Sequence, residues 1–307
     1  MKRKDFISLT GLTSLGFMFP SEIIGKLTVE KNKISLAQWS MNKSFFSGKK
    51  NALNFPGFAA ELGFEGVEYV NQFYFDYLES GSISSKNVRT LARKLNKNAK
   101  ENDIANVLIM VDHEGELASN DSKKISRSID QHKKWIELAA ELNCESVRVN
   151  LSGSENQEEW VKRSVDGLTG LAEFAKQYYL NIIVENHGGF SSNAMLLAKV
   201  MKKTNLDNCG TLPDFGNFCI EGGYGTCAKW YDMYKGVAEL MPYAKSVSAK
   251  TYDFDSYGNE TKIDYNKMMK IVKDNNYKGF IGVEYEGHGL SENDGILATK
   301  KLIKRFI

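Results

Sequence analysis

Polar side chains stand near the ends of eight short and largely apolar runs of the sequence. In "NIIVENHGGF", residues 181–190, three apolar residues lead directly to Glu185, with His187 two residues later. A buried carboxylate is costly unless a positive charge or a metal ion compensates it, so such a residue needs a partner. The corresponding polar residues of the eight runs are Gln38, Glu68, Asp112, Arg148, Glu185, Asp214, Lys250 and Glu284.

Three of these carboxylates, Glu185, Asp214 and Glu284, are candidate metal ligands. Side chains alternate along a strand, so if Ile183 points inward then Glu185 does too, and Lys250 shares a face with Ser248. Carboxylates gathered around one pocket repel each other unless a cation lies between them. Oxygen ligands suit hard divalent ions, so we expect Mn or Mg rather than Zn.

The runs that would position these residues alternate with segments of helical period. Eight strand–helix repeats favour a closed parallel barrel, and neither a GxGxxG nor a GxxxxGK[ST] motif suggests an open nucleotide-binding sheet. We therefore predict a single (β/α)8 TIM barrel over residues 31–307, with its active site at the carboxyl ends of the strands. The predicted strands are 34–40, 64–70, 105–112, 146–151, 181–186, 209–215, 245–252 and 279–285.

Residues 1–30 differ from the rest of the chain. Lys2, Arg3 and Lys4 precede a mostly apolar stretch that is too short to span a bilayer, which is typical of an export signal and resembles a degenerate twin-arginine signal. The alternative is an amphipathic N-terminal helix. The signal predicts a periplasmic or exported protein without stable membrane insertion once the signal is removed; without it the protein would be cytoplasmic.

Charge and cysteine content limit the partners. The chain has 40 Lys and Arg against 38 Asp and Glu, so we expect no nucleic-acid partner. It has four cysteines, and Cys219 and Cys227 could form a disulfide in an exported protein. Buried free thiols are the favoured interpretation, because free cysteine is among the most buried residue types. A homo-oligomer is left open.

Five motifs resemble the xylose isomerase-like superfamily of TIM barrels: "GFEGVEY", "VENHGG", "LPDFGNF", "SVSAKTYDFD" and "GVEYEG". The superfamily includes ketose 3-epimerases, hydroxypyruvate isomerases, inosose dehydratases and endonuclease IV-type repair enzymes. The resemblance implies a divalent metal held by Glu185, Asp214, Glu284 and a seventh-strand histidine. Ser248 stands at that histidine position, although Lys250 matches the lysine of the same motif, and Asn217 replaces a second histidine. Metal affinity should therefore be lower.

The resemblance also implies a sugar isomerase or epimerase in which Glu185 and Glu284 act as acid and base. Substrate-binding residues would be Glu68, Arg148, His187, Asn217 and Lys250. We find no Arg-rich or Gly-rich phosphate cradle beyond a modest "EGHGL", so the expected substrate is a neutral or oxidised carbohydrate. One alternative is a lyase or hydratase acting on a 3-keto sugar or glycoside. Another is an inactive sugar-binding barrel, whereas DNA repair is disfavoured because only four histidines are present.

Overall fold

Ten strands occur in the computed structural model, which describes residues 32–78, 85–222 and 226–307. Eight of them form one sheet, and β7 and β8 pair only with each other in a short hairpin. The strands are β1 (Ile34–Ala37), β2 (Gly66–Val70), β3 (Ala105–Val111), β4 (Ser146–Val149), β5 (Asn181–Glu185), β6 (Cys209–Leu212), β7 (Cys219–Glu221), β8 (Lys229–Trp230), β9 (Val247–Thr251) and β10 (Ile281–Tyr285).

The eight-stranded sheet closes on itself as a barrel. Its order is β6-β5-β4-β3-β2-β1-β10-β9, and all seven pairings are parallel. Just beyond β6 the chain pairs with β9: the amide of Ser248 donates to the carbonyl of Pro213 at 3.0 Å, and Phe215 donates to Ser248 at 3.1 Å. The predicted single TIM barrel is confirmed.

Helices cover the outside of the barrel: α1 (Asn42–Phe46), α2 (Phe55–Glu61), α3 (Ser85–Glu101), α4 (Ser122–Glu141), α5 (Gln157–Lys176), α6 (Ala194–Thr204), α7 (Met233–Leu240), α8 (Tyr265–Asp274) and α9 (Glu292–Ile303). A side-chain oxygen accepts a backbone N–H at the start of each of α4 to α9. Such caps satisfy amides that the helix leaves free and fix where each loop ends. The loops that carry the polar residues therefore have fixed ends.

Two apolar layers follow from the alternation of side chains along the strands. Ile182 and Val184 point outward and belong to the large core between strands and helices, whereas Ile183 belongs to a smaller cluster inside the barrel. Glu185 has the parity of Ile183 and therefore points inward, as the sequence predicts. The strands themselves are shorter than predicted at several carboxyl ends. Asp214 and Asn186 lie in the loops that follow β6 and β5, not in the strands.

None of the helices within the described residues is long and apolar enough to cross a membrane. The predicted export signal over residues 1–30 lies outside the described residues, so the structure does not test it.

Glu68, on β2, is fully buried inside the barrel. The Ser35 hydroxyl donates to its Oε1 at 2.6 Å, while its Oε2 has no hydrogen-bond partner among the described residues. Burial raises the pKa of Glu68 from its ordinary 4.5 to about 7, although the bond from Ser35 acts in the opposite direction. An ionised carboxylate at this position is unfavourable because one oxygen has lost its water without gaining a partner.

We expect this shift to make the protein less stable as the pH rises from about 4.5 to about 7. Across that window the unfolded chain releases the Glu68 proton while the folded chain retains it. Glu68→Gln removes the titration, so the variant should melt at nearly the wild-type temperature at pH 4.5. At pH 8 it should be more stable by up to about 3 kcal/mol.

Thermal or denaturant unfolding of both proteins at the two pH values measures this difference. A stability difference that does not change between pH 4.5 and pH 8 would show that Glu68 is ionised at ordinary pH in the folded barrel.

Candidate active site

Three buried carboxylates meet at the carboxyl end of the barrel. Glu185 ends β5, Asp214 follows β6 and Glu284 lies in β10, and they are 2%, 0% and 5% exposed. One oxygen from each carboxylate lies within 4.8 Å of an oxygen from each of the others. The structure thus brings together the three predicted metal ligands, here named the carboxylate triad.

Ser248 links two members of the triad from its position on β9. Its Oγ lies 2.7 Å from Asp214 Oδ2 and 2.8 Å from Glu284 Oε2. A serine hydroxyl has one proton, so it can donate to only one of these oxygens at a time. The other carboxylate needs a proton of its own or a nearby cation. Ser248 therefore occupies the position that the resemblance assigns to a histidine ligand, and it contacts both neighbouring carboxylates.

Lys250 supplies one positive charge beside the triad. Its Nζ lies 3.6 Å from Asp214 Oδ2, 3.8 Å from Glu284 Oε1 and 3.4 Å from Glu286 Oε1. Burial alone would lower the pKa of Lys250, but these carboxylates raise it well above its usual value, so the amine stays charged. Burial also raises the pKa of Asp214 and, more strongly, that of Glu284.

Arg148 supplies a second positive charge on the other side of Glu185. Its Nε lies 2.9 Å from Glu185 Oε2, and its guanidinium donates to Asp112 Oδ1 at 2.6 Å. Although burial of Asp112 acts against it, this ion pair lowers the pKa of Asp112 to about 2. Arg148 is thus the counter-ion of two carboxylates. Asp112, one of the polar residues near the ends of the predicted strands, is a half-buried member of this ion pair.

Asn217 lies between Glu185 and Lys250 and hydrogen-bonds to both. Its side-chain amide donates to Glu185 Oε1 at 2.9 Å, and its Oδ1 accepts from Lys250 at 3.2 Å. The backbone amides of Asn217 and Gly216 both donate to Asp214 Oδ1 at 2.8 Å. Asn217 therefore holds catalytic candidates in place on both sides of the site.

Asn186 has a related role that the sequence analysis missed. Its side chain accepts from the backbone amide of Asp214 at 2.8 Å and donates to the carbonyl of Asp214 at 3.0 Å. This reciprocal pair fixes the loop after β5 to the loop after β6. Only the position of Asn186, directly after Glu185 at a strand end, could have suggested such a role.

A cavity of about 1080 Å³ opens above the triad. Of the predicted site residues, Arg148, Glu185, His187 and Glu284 line it. The other four predicted site residues are absent from its described lining: Asp214, Asn217, Lys250 and Glu68. The first three lie next to Glu185 or Glu284, which do line it, and Glu68 is buried in the barrel. Residues not predicted for the site also line the cavity, among them Trp39, His132, Trp160 and Phe190.

The short hairpin of β7 and β8 contributes Ile220 and Glu221 to the same cavity. A disulfide joins Cys219 to Cys227 across this hairpin, with a Cα–Cα distance of 5.8 Å that suits such a bond. The favoured interpretation of buried thiols is therefore wrong for this pair, because the two residues lie on a hairpin near the surface. Cys144 and Cys209 are free, and Cys144 is buried.

The donor set fits a divalent ion. A single ion with ligand distances of about 2.0–2.6 Å reaches three oxygens that lie within 4.8 Å of one another. All three donors are carboxylates, and the one hydroxyl proton of Ser248 leaves part of their charge uncompensated. Glu185, Asp214 and Glu284 would hold such an ion.

Comparison with known proteins shows the family of this chain and several structures with a similar fold. The sequence matches the family described as a xylose isomerase-like TIM barrel over residues 56–306. Similar solved structures include 3-keto-D-glucoside 4-epimerase from E. coli, with 14% identity, a TM-score of 0.64, and coverage of 90% of this chain and 100% of that one. The zinc-bound IOLI protein has 17% identity and a TM-score of 0.65, covering 90% and 99%.

D-psicose 3-epimerase, solved in the presence of D-fructose, has 15% identity and a TM-score of 0.60, covering 87% of this chain and 89% of its own. At these identities the likeness shows the fold. The C-glycoside deglycosidase alpha subunit of Arthrobacter globiformis is 36% identical over 75 residues, which are 22% of this chain. The chain spans about a fifth of that relative's length, 21%.

We predict that the protein binds Mn²⁺ or Mg²⁺ at the triad. Added Mn²⁺ should raise the melting temperature, and isothermal titration should show one site. Asp214→Asn removes one anionic ligand, so it should weaken binding at least about 10-fold. The matched control is Glu286→Gln, which removes a carboxylate two residues beyond Glu284 that is not a member of the triad; it should change affinity much less.

Ser248→His should strengthen binding if the imidazole reaches the ion. Equal affinities for wild type and Asp214→Asn would place the bound ion elsewhere.

Proposed function

The chain belongs to the xylose isomerase-like TIM barrel family, and from that premise we propose that it is an enzyme that isomerises or epimerises a carbohydrate by abstracting a carbon-bound proton. The observation that carries this proposal is the convergence of Glu185, Asp214 and Glu284 at the end of the barrel beside a large cavity. Similar structures named for sugar epimerisation support it.

We assign the proton transfer to two glutamates of the triad. Both Glu185 and Glu284 line the cavity, and their strands are separated around the barrel by β6 and β9. Glu185 is ion-paired with Arg148, which stabilises negative charge, so we assign it as the proton acceptor. Glu284, on the other glutamate-bearing strand, is then assigned as the group that supplies the replacing proton.

A divalent ion bound by the triad would polarise the substrate oxygen next to the C–H bond and make that proton more acidic. The chain's own residues do the rest. Lys250 and Ser248 hold Asp214 and Glu284 in position, and Arg148 and Asn217 hold Glu185. In an epimerisation the abstracted proton is replaced from the opposite face of the sugar. In an isomerisation it is returned to the neighbouring carbon.

The charge of the cavity supports a neutral substrate. Eight carboxylate residues line it, namely Asp112, Glu114, Glu116, Glu155, Glu185, Glu221, Glu284 and Glu286. Among the described lining residues Arg148 is the one arginine and there is no lysine, and Arg148 already contacts Asp112 and Glu185. A phosphate or a sugar acid would meet net negative charge there. The favoured substrate is therefore a neutral or oxidised sugar or glycoside.

A second candidate function is elimination from a 3-keto glycoside. The segment similar to a C-glycoside deglycosidase subunit favours it, as does the size of the cavity. With a ketone at C3, removal of the C2 proton and departure of the group on C1 would form a C1=C2 double bond. The acceptor and donor glutamates are the same in both reactions. A barrel that only binds sugar would show neither reaction.

We further propose that the protein is exported to an oxidising compartment. The basic start and apolar stretch of residues 1–30 support this location, and so does the Cys219–Cys227 disulfide, because such bonds persist mainly outside the cytosol. Fractionation of the native host with peptide mapping under non-reducing conditions tests both points. A reduced protein found in the cytoplasm would contradict the proposal. The same preparation also allows self-association to be tested.

The proton-transfer roles predict the effect of two substitutions. Glu185→Gln and Glu284→Gln keep the size of the side chain but remove a carboxylate that can carry the proton. Each should slow turnover about 10²- to 10⁴-fold. Incubation with Mn²⁺ and a panel of neutral and 3-keto sugars in heavy water, followed by NMR, measures exchange of carbon-bound hydrogen whichever product forms.

Glu286→Gln is again the matched variant and should lose much less activity. A thermal melt of each protein separates lost chemistry from lost folding. Near wild-type exchange by both triad variants would exclude proton abstraction by this pair. Sugar binding without any exchange in the wild type would favour the inactive barrel.

A further inference from the structure

Four apolar side chains of the cavity lining come from neighbouring elements of the barrel. Leu151, Trp160, Phe190 and Ile220, here named the apolar corner, all line the cavity. They come from the loop after β4, the first turn of α5, the loop after β5 and the hairpin. These are neighbouring elements around the barrel, so their side chains gather on the β4–β6 side.

The apolar corner offers little to a hydroxyl group. The indole N–H of Trp160 donates to the carbonyl of Leu151 at 3.3 Å, so its polar atom is already paired. The Trp160 and Phe190 ring centroids lie 5.7 Å apart at an interplanar angle of 58°. A further aromatic ring could pack against these two in the offset or edge-to-face geometry that aromatic pairs prefer. A polar ligand at this position would lose hydrogen bonds to water without replacing them.

The hydroxyls of a sugar would find hydrogen-bond partners elsewhere in the lining. Arg148, Glu185 and Glu284 line the cavity there and offer donors and acceptors. The whole cavity, about 1080 Å³, slightly exceeds the range for sites that hold drug-sized ligands, about 300–1000 Å³. A single sugar ring beside the triad would leave the apolar corner unfilled.

We propose that the apolar corner binds the apolar aglycone of a glycoside whose sugar ring lies against the carboxylate triad. The position of the sugar rests on the proposed function, whereas the preference for an apolar group rests on the corner itself. The natural ligand would therefore be a glycoside with a flat or aliphatic group on C1, and not a free monosaccharide.

Two side chains of the corner are held by the disulfide-bonded hairpin and its neighbour. Ile220 lies directly after Cys219 in β7, and β7 contacts the 3-10 turn Gly189–Ser192, which contains Phe190. The Ser192 hydroxyl donates to the carbonyl of Asn217 at 2.6 Å, which ties this turn to the loop that leads into the hairpin. Ile220 and Phe190 are therefore positioned by connected segments.

Equilibrium binding tests the proposal without requiring turnover. Isothermal titration with full-length protein and Mn²⁺ compares phenyl glucosides with methyl glucosides of the same anomeric configuration, and with cellobiose and maltose. We expect the phenyl glucoside of one configuration to bind at least about 10-fold tighter than its methyl counterpart, because the phenyl ring leaves water for the apolar corner.

Phe190→Ala and Ile220→Ser should reduce this preference to about 2-fold while leaving methyl glucoside affinity nearly unchanged. Neither residue is fully buried, so both variants are expected to fold, which a thermal melt checks. Tyr179→Ala is the control aromatic truncation, since Tyr179 is 96% exposed and is not part of the cavity lining. It should keep the full preference.

The outcomes separate this proposal from the proposed function. Equal affinity for phenyl and methyl glucosides would overturn the aglycone site while leaving the sugar site intact, as would a preference that survives both substitutions. Tighter binding of a disaccharide than of either phenyl glucoside would assign the corner to a second sugar ring and overturn an apolar aglycone. Absence of binding by every glucoside would overturn the aglycone proposal, whereas the proposed function is tested separately by hydrogen exchange with the panel of neutral and 3-keto sugars.

Discussion

The compensation of three buried carboxylates is the constraint on which the rest of the site depends. Glu185, Asp214 and Glu284 are almost without contact with bulk water, yet their oxygens approach within 4.8 Å. Burial and mutual repulsion both disfavour their charged forms. The protein offsets this with Lys250 and Arg148 on either side and with hydrogen bonds from Ser248 and Asn217. Lys250 and Arg148 supply only two positive charges for the three carboxylates and their acidic neighbours. A further cation can therefore bind favourably among them.

The strands and the loops at their carboxyl ends hold the compensating groups in place. Alternation along β5, β9 and β10 aims the polar side chains inward, and the reciprocal pair between Asn186 and Asp214 fixes two loops together. Capped helices then fix the far ends of the loops. The same loops and the hairpin build the cavity above the triad. Chemistry is therefore placed on rigid strand ends, while the loops determine which ligand fits.

Much of this arrangement could be predicted from the sequence, because it follows from a period of two. Counting along "NIIVEN" from Ile183 places Glu185 inside the barrel, and the same parity relates Ser248 to Lys250. The bonded state of Cys219 and Cys227 could not be predicted, since it depends on two short strands pairing across a hairpin. The apolar corner was also missed, because Trp160, Phe190 and Ile220 lie in separate elements of the chain without a shared spacing. Glu68 shows a related difficulty: its inward parity is visible, but its depth below the cavity is not.

The central claim is that the triad shares one divalent cation, and anomalous diffraction from a crystal grown with Mn²⁺ tests it most directly. The account predicts one strong manganese peak at about 2.0–2.6 Å from an oxygen of each of Glu185, Asp214 and Glu284. Lys250 should remain beside Asp214 and Glu284 in that crystal. A well-ordered triad with no manganese peak at saturating Mn²⁺, or a peak that only one of the three carboxylates contacts, would contradict the claim.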